Sequence, residues 1–248
     1  MTGDQNIVAI IQARMASTRL PGKVLADISG QPMLVHVVER VNSASSLSRV
    51  VVATTTDASD EPIAQLCAER GYSCLRGHPI DVLDRYVQSA REFDAEIIVR
   101  ITADCPLMDP ALIDRTVSAF IEADPPADFA ANRFPGRRVY PIGEDVEVCS
   151  IAALEKAWRE ADQPDQREHV MPYLYQVEGR FRVVFLESKR DLGDLRWTVD
   201  TAEDLAFVRE IFKRFDGRTD FNLEEIVALI KREPELAEIN AQVEQKPF

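Results

Sequence analysis

A chain of 248 residues with a formal charge of −13 lacks the broad basic face that a nucleic-acid backbone needs, so a general nucleic-acid surface is argued against. The length suits one large domain, or a domain with a substantial insertion. The opening MTGDQN has no charged n-region or long apolar h-region, and no apolar run is long enough to span a bilayer; a cytoplasmic location is expected.

The first half alternates strand and helix patterns. NIVAIIQA is continuous, β-branched and bounded by polar residues, which predicts a buried strand. MLVHVVERV places Leu34, Val37, Val38 and Val41 at helical spacing. RVVVATT predicts a second strand, and EPIAQLCAERG a helix with proline in its first turn and glycine at its stop. YSCLRG, VLDRYVQSAREF, AEIIVRITA and DPALIDRTVSAFIEA continue as strand, helix, strand and helix, the last capped by Asp109. Such alternation predicts an α/β fold with a mainly parallel sheet sandwiched by helices, binding ligands beyond the carboxyl ends of its strands. The loop at 10–25, Thr54–Asp57, Arg76–Asp81 and Ala103–Asp109 all fall at those ends.

The alternation breaks at 125–149, which holds prolines, glycines, Arg137-Arg138 and the alternating EDVEVCS. A single domain over 1–248 is therefore expected, with 125–180 as a smaller insertion and 240–248 as a frayed tail. IAALEKAWREA and REHVMPYLYQV read as helices, FRVVFLES and LRWTVD as strands, and TAEDLAFVREIFKRF and NLEEIVALIKRE as amphipathic helices. Cys67, Cys74, Cys105 and Cys149 form no CxxC pair, so free, mostly buried thiols are expected rather than zinc ligands or a disulfide framework.

IIQARMASTRLPGKVL gathers Arg14, Arg19 and Lys23 on one loop behind an apolar strand. It is not a P-loop, since Ser17 stands at the first glycine and Val24 follows Lys23, and no GxGxxG occurs. The small residues around Ala13 would let backbone approach a ligand while the cations neutralise a polyphosphate. A solvated loop paired with nearby carboxylates is the alternative.

QARMASTRLPGKVL and GQPMLVHVVERV resemble the signature of the cytidylyltransferases that activate ulosonic and nonulosonic sugar acids, the CMP-Kdo synthetases and acylneuraminate cytidylyltransferases. VVVATTTD, DVLDRY, VRITADCPLMDP, REHVMPYLY and LRWTVDTAEDL are similar to the branch called spore coat polysaccharide biosynthesis protein F. The resemblance spans about Ile7 to Phe215 and implies a Rossmann-like, GT-A-like nucleotidyltransferase sheet. It also implies CTP as donor, an acidic sugar as acceptor, Mg²⁺ as cofactor and a homodimer; Val170, Tyr173, Leu174 and Val177 form an apolar strip that would serve either pairing or the chain's own core. It assigns Ala13, Arg14, Arg19 and Lys23 to the nucleotide, with Arg14 and Lys23 on the triphosphate.

Asp104 follows one strand and Asp200 ends another. Read alone, Asp104 is a turn-former and Asp200 an N-cap with Glu203 three residues on; the resemblance makes both metal ligands. It places Thr54, Arg76, Asp84, Arg85 and Thr102 around the nucleotide, Thr102 standing where the sialic-acid and Kdo branches carry a glutamine. Asn132, Tyr140, Asp145, Glu147, Glu168 and His169 fall where the family surrounds its sugar, and Arg137-Arg138 would attract a carboxylate. The expected activity is Mg²⁺-dependent CMP transfer from CTP to an acidic sugar, with release of pyrophosphate. The rivals are a nucleotide-sugar glycosyltransferase and a non-catalytic nucleotide sensor.

Overall fold

Alternate residues of the first strand belong to different cores. β1 (Ile7–Gln12) sends Ile7, Ala9 and Ile11 into one apolar cluster, and Val8 and Ile10 into another on the opposite face. That split requires helices on both sides of the sheet. The computed structural model describes residues 5–134 and 136–245, with the side chains of Phe134 and Arg137 left out. The carboxylate-attracting role expected of Arg137 lies outside the described residues, as do residues 1–4 and 246–248 of the expected tail.

After β1 come a small hairpin, β2 (Asp27–Ile28) with β3 (Gln31–Pro32), and then α1 (Met33–Asn42). β4 (Arg49–Thr55), α2 (Glu61–Arg70), β5 (Ser73–Gly77), α3 (Val82–Glu92), β6 (Ile97–Thr102) and α4 (Pro110–Ile121) follow in the predicted alternation. The starts and stops are local. Pro62 lies in the first turn of α2 and Gly71 ends that helix at φ 69°, while the Asp81 and Asp109 side chains cap α3 and α4.

The second half adds β7 (Phe129–Ala131), the pair β8 (Arg133–Phe134) and β9 (Arg137–Arg138), and β10 (Glu147–Ser150). Then follow α5 (Ile151–Glu160), α6 (Pro164–His169), α7 (Pro172–Tyr175), β11 (Val183–Phe185), α8 (Ala202–Arg214), α9 (Leu223–Arg232) and α10 (Glu235–Glu238). The seven-stranded sheet runs β11-β7-β10-β6-β1-β4-β5. Its β6-β1-β4-β5 half is parallel, and β10 lies antiparallel between β6 and β7. Strands from 125–180 thus extend the same sheet. α1, α2, α4, α8 and α9 cover one face; α3, α5 and the α6–α7 region cover the other.

Two expectations are corrected. REHVMPYLYQV is not one helix: Val170 sits at φ 71°, a left-handed conformation that a β-branched residue adopts only under tertiary constraint, and α6 and α7 part there. LRWTVD is not a strand but a loop with a single bridge between Arg196 and Ile142. The apolar strip is interior, with Val170 and Leu174 fully buried, Tyr173 nearly so, and Val177 alone of the four exposed. Cys67, Cys105 and Cys149 are buried free thiols, and Cys74 is half-buried. Among the described residues no helix is long and apolar enough to cross a membrane.

Candidate active site

At the carboxyl ends of β1 and β6 the strands open into a cleft of about 500 Å³. The loop after β1 is held by its own backbone, with Gly22 N–H on Met15 O at 3.0 Å and Gly22 at φ 71°, where a side chain would be strained. Asp60, buried at the start of α2, accepts the Met15 N–H at 2.6 Å and also the Thr55 hydroxyl, tying the loop to the end of β4. A buried carboxylate facing backbone donors is a firm anchor.

This loop delivers Lys23 into the space between the two aspartates. Its Nζ lies 2.9 Å from Asp104 Oδ2, 2.9 Å from Asp200 Oδ1 and 2.7 Å from Val199 O, using all three ammonium protons. Burial pulls the Lys23 ammonium down, but Asp104 and Asp200 outweigh it and hold it above its ordinary value. Burial likewise raises the Asp104 carboxyl, but the Lys23 charge together with hydrogen bonds from Thr102, Lys23 and the backbone more than offsets this and leaves it below the usual range. Asp200 Oδ2 takes Arg19 and Arg196, each at 2.9 Å. Arg14 is exposed along the same cleft.

Asp200 is not the N-cap. Thr201 caps α8 and Asp204 closes a capping box, one residue beyond the Asp200–Glu203 reading. The shift leaves the Asp200 carboxylate free to face Lys23.

Of the residues expected at the nucleotide, Ala13, Arg14, Arg19, Arg85, Thr102, Asp104 and Asp200 line the cleft, and Lys23 lines its inner recess. Three are placed elsewhere. Thr54 is fully buried within β4. Arg76 is turned onto Thr55 O, Asp57 O and Glu61. Asp84 accepts the Trp158 indole N–H at 2.9 Å, facing α5 rather than the cleft.

Arg85 is built in. It is 2% exposed, and its Nη1 donates to His78 O at 2.8 Å while its Nε is buried without a partner. A Cβ on Gly77 would come within 2.6 Å of Arg85 Cγ, so glycine at the end of β5 makes room for this arginine. Gly77→Ala is expected to displace Arg85 and weaken nucleotide binding by about 1.5–3 kcal/mol, the scale of one hydrogen bond to a charged group. Titration calorimetry with CTP and UTP reads this; unchanged CTP affinity would take Arg85 out of the site.

Of the residues expected at the sugar, Asp145, Glu168 and His169 line the cleft, and the other three are buried. Asn132 is buried, bridging Glu144 O at 2.5 Å and Val146 N–H at 2.9 Å. Tyr140 is buried with its hydroxyl accepting from Arg115. Glu147 lies beneath the wall, paired with Arg100 and Arg133. Those two arginines do line the cleft, and sequence reading missed them. Arg100 was detectable as a charge inside the apolar run IIVRIT. Burial pulls its guanidinium down, but Glu147 holds it above its ordinary value. Burial pushes the His169 imidazole below its ordinary value, opposed by Glu168 and aided by Arg100 and Arg133.

The far wall of the site rests on Glu144, fully buried, with Oε2 accepting the Asp109 N–H at 2.8 Å and Oε1 unpartnered. Burial raises its carboxyl well above the ordinary value. An acid whose folded pKa is raised gives full stability below its unfolded pKa of about 4.3, and that stability is lost as pH rises toward the folded pKa. Glu144→Gln is therefore expected to be more stable than wild type at pH 8, by about 1–3 kcal/mol, with the gap closing near pH 4. Thermal melts across pH test this, and a less stable variant at pH 8 refutes it.

A mostly parallel sheet with a basic loop and two facing aspartates at its carboxyl edge is the arrangement of a nucleotidyltransferase. The cytidylyltransferase family profile matches residues 8–246, and the chain belongs to that family. It is 31% identical over 239 residues to the spore coat polysaccharide biosynthesis protein SpsF of Bacillus subtilis, covering 94% of this chain and 97% of that one. A solved cytidylyltransferase from Leptospira borgpetersenii superposes with a TM-score of 0.89 at 30% identity, covering 98% of this chain and 99% of the other. A CMP:2-keto-3-deoxy-manno-octonic acid synthetase solved with CTP shares the fold, with a TM-score of 0.63 at 21% identity over 85% of this chain and 99% of that one.

Proposed function

We propose that the protein transfers CMP from CTP to a hydroxyl of an acidic, 2-keto-type sugar and releases pyrophosphate, in the building of a surface polysaccharide or related glycan. The observation that carries this reading is the cleft's division of charge. Arg14, Arg19 and Lys23 come from the loop after β1, and Arg100 and Arg133 from β6 and β8, in a chain of net charge −13. The first group suits a triphosphate, and the second suits a sugar carboxylate, which guanidinium binds through paired donors. Family membership supports the CTP end, and the names SpsF and CMP:2-keto-3-deoxy-manno-octonic acid synthetase support the acceptor. Free thiols suit a reducing cytoplasm.

A divalent cation fits the donors present. Two carboxylate oxygens already converge on one positive charge, Lys23 Nζ, each at 2.9 Å. Among the described residues no set of three acidic, histidine or cysteine side chains forms a complete cage. That matches Mg²⁺, which takes one or two carboxylates and completes its shell with substrate phosphate and water. Asp104 and Asp200 would hold it, and when bound it would neutralise phosphate charge and favour ionisation of the attacking hydroxyl.

The chain's own residues then have separable tasks. Arg14 and Arg19 draw the triphosphate to the loop, and Lys23 exchanges carboxylate oxygens for phosphate oxygens. Arg85 meets the base, and Arg100 and Arg133, with His169 beside them, hold the acceptor in line with the α-phosphorus. Alignment and charge neutralisation carry the rate, with no covalent enzyme intermediate. Incubation with each nucleoside triphosphate, Mg²⁺ and a panel of 2-keto sugar acids and neutral sugars tests this directly. Pyrophosphate and a CMP-sugar from CTP with at least one acid are expected; a nucleotide-sugar formed only with neutral sugars would refute the acceptor class.

A further inference from the structure

Arg196 lies directly behind Asp200, with its side chain 7% exposed. Its guanidinium is used on three sides. Nε donates to Asp204 Oδ1 at 2.8 Å, Nη2 donates to both Asp204 Oδ2 and Asp200 Oδ2 at 2.9 Å, and Nη1 donates to Gln245 Oε1. Asp204 also accepts the backbone N–H of Asp200 at 2.9 Å and of Thr201 at 3.0 Å. Both the main chain and the side chain of Asp200 therefore refer to one Arg196–Asp204 pair.

That pair is closed from the other side by the segment after α10. Asn240, 4% exposed, donates from Nδ2 to Asp204 Oδ1 at 2.9 Å and to Arg196 O at 3.1 Å. Five residues on, Gln245 reaches the cleft and forms part of its wall. Asp200 has three cationic partners, and they differ in what anchors them. Lys23 and Arg19 come from the loop that would turn to phosphate when nucleotide binds. Arg196 is tied to a fully buried carboxylate and cannot follow a ligand.

We propose that Arg196 is the positioning residue that keeps the Asp200 carboxylate in place when Lys23 and Arg19 are drawn away, and that residues 240–245 latch it through Asn240 and Gln245. The inference rests on the nucleotidyltransferase reading of the same cleft, and it makes the segment after α10 a working part of the site. The planar fork is what the task requires. A lysine would keep the charge but, as a flexible point charge, would not hold Asp200 and Asp204 in a fixed relation.

Arg196→Lys is therefore the decisive variant, with Asn240→Ala beside it. CTP binding is measured by calorimetry with and without Mg²⁺, alongside kcat, KM and melting temperature. In Arg196→Lys the affinity without Mg²⁺ should stay within about twofold of wild type, while the gain in affinity on adding Mg²⁺ and kcat should each fall by about 10- to 100-fold. Asn240→Ala should move the same two quantities by less. A lowered melting temperature with the Mg²⁺ gain and kcat intact would mark a structural role only and overturn the proposal. Arg196→Gln separates position from charge: a tighter Mg²⁺ response there, with Arg196→Lys like wild type, would mean that Arg196 acts only as a competing cation, again overturning it. Crystal structures of wild type and Arg196→Lys with CTP bound read placement once the loop cations have turned to phosphate. An Asp200 carboxylate displaced in the variant from its wild-type position is expected, and an unmoved one refutes the positioning role; a wild type that shows no Mg²⁺ gain would fall on the functional reading instead.

Discussion

Asp104→Asn and Asp200→Asn are each expected to lower kcat/KM by about 3–5 kcal/mol of transition-state stabilisation, roughly 10²- to 10⁴-fold. Asparagine keeps the size and hydrogen-bonding reach of aspartate but not its charge. The triphosphate and the attacking oxygen repel one another, and an anionic pair able to recruit a cation offsets this at the reacting centre. The structure adds a second consequence. Each aspartate holds Lys23 at 2.9 Å, so each Asn variant also leaves a mostly buried ammonium with one carboxylate instead of two. Because Asp104 and Asp200 are 26% and 14% exposed, solvent tempers that loss to about 1–2 kcal/mol of folding stability. Activity should recover in part at high Mg²⁺ or with Mn²⁺, whereas melting temperature without cation should not. Activity within a few-fold of wild type at low Mg²⁺ would remove that residue from the site. Thr201 and Asp204 supply the cap of α8, so loss of activity at Asp200 cannot be laid to helix fraying.

The second large effect belongs to Glu147. It is 2% exposed on β10, in direct contact with Arg100 and 3.7 Å from Arg133. Removing one member of a buried pair strands the other's charge, at about 3–5 kcal/mol. Glu147→Gln should lose stability on that scale in denaturant melts, with a wild-type m-value. Arg100 and Arg133, freed from their shared carboxylate, should also lose their fixed placement on the cleft wall. KM for the acceptor should then rise by more than KM for CTP, because Arg14, Lys23 and the aspartates are untouched. A rise in both by the same factor would show that the arginines do not face the acceptor.

How much of this was legible follows the range of the forces involved. β1, α1 and β4 through α4 were read nearly to the residue, because each carries its own periodicity and punctuation, such as Gly71 stopping α2 and Asp109 capping α4; the short β2–β3 hairpin was not read. The basic loop was visible for the same reason, since Arg14, Arg19 and Lys23 are neighbours in sequence. Errors gathered where a distant partner decides. A helix parted at Val170 and a strand reduced to one bridge at Arg196 depend on contacts outside the local window, whereas the cap of α8 is local and was misplaced by one residue. Asn132, Tyr140 and Glu147 were placed at the sugar by position along the chain, yet they are turned inward to partners at Val146, Arg115 and Arg100.

The sequence by itself determined the βα order, the helix caps and the chemical types at the strand ends, because those rest on interactions within a few residues. Only the tertiary structure decided that Asp104 and Asp200 share Lys23, that Arg100 and Arg133 line the same cleft, and that Asn240 and Gln245 reach back to Arg196. Those relations join residues far apart along the chain. Nothing in local composition encodes a distance that exists only once the sheet has brought its strand ends to one edge.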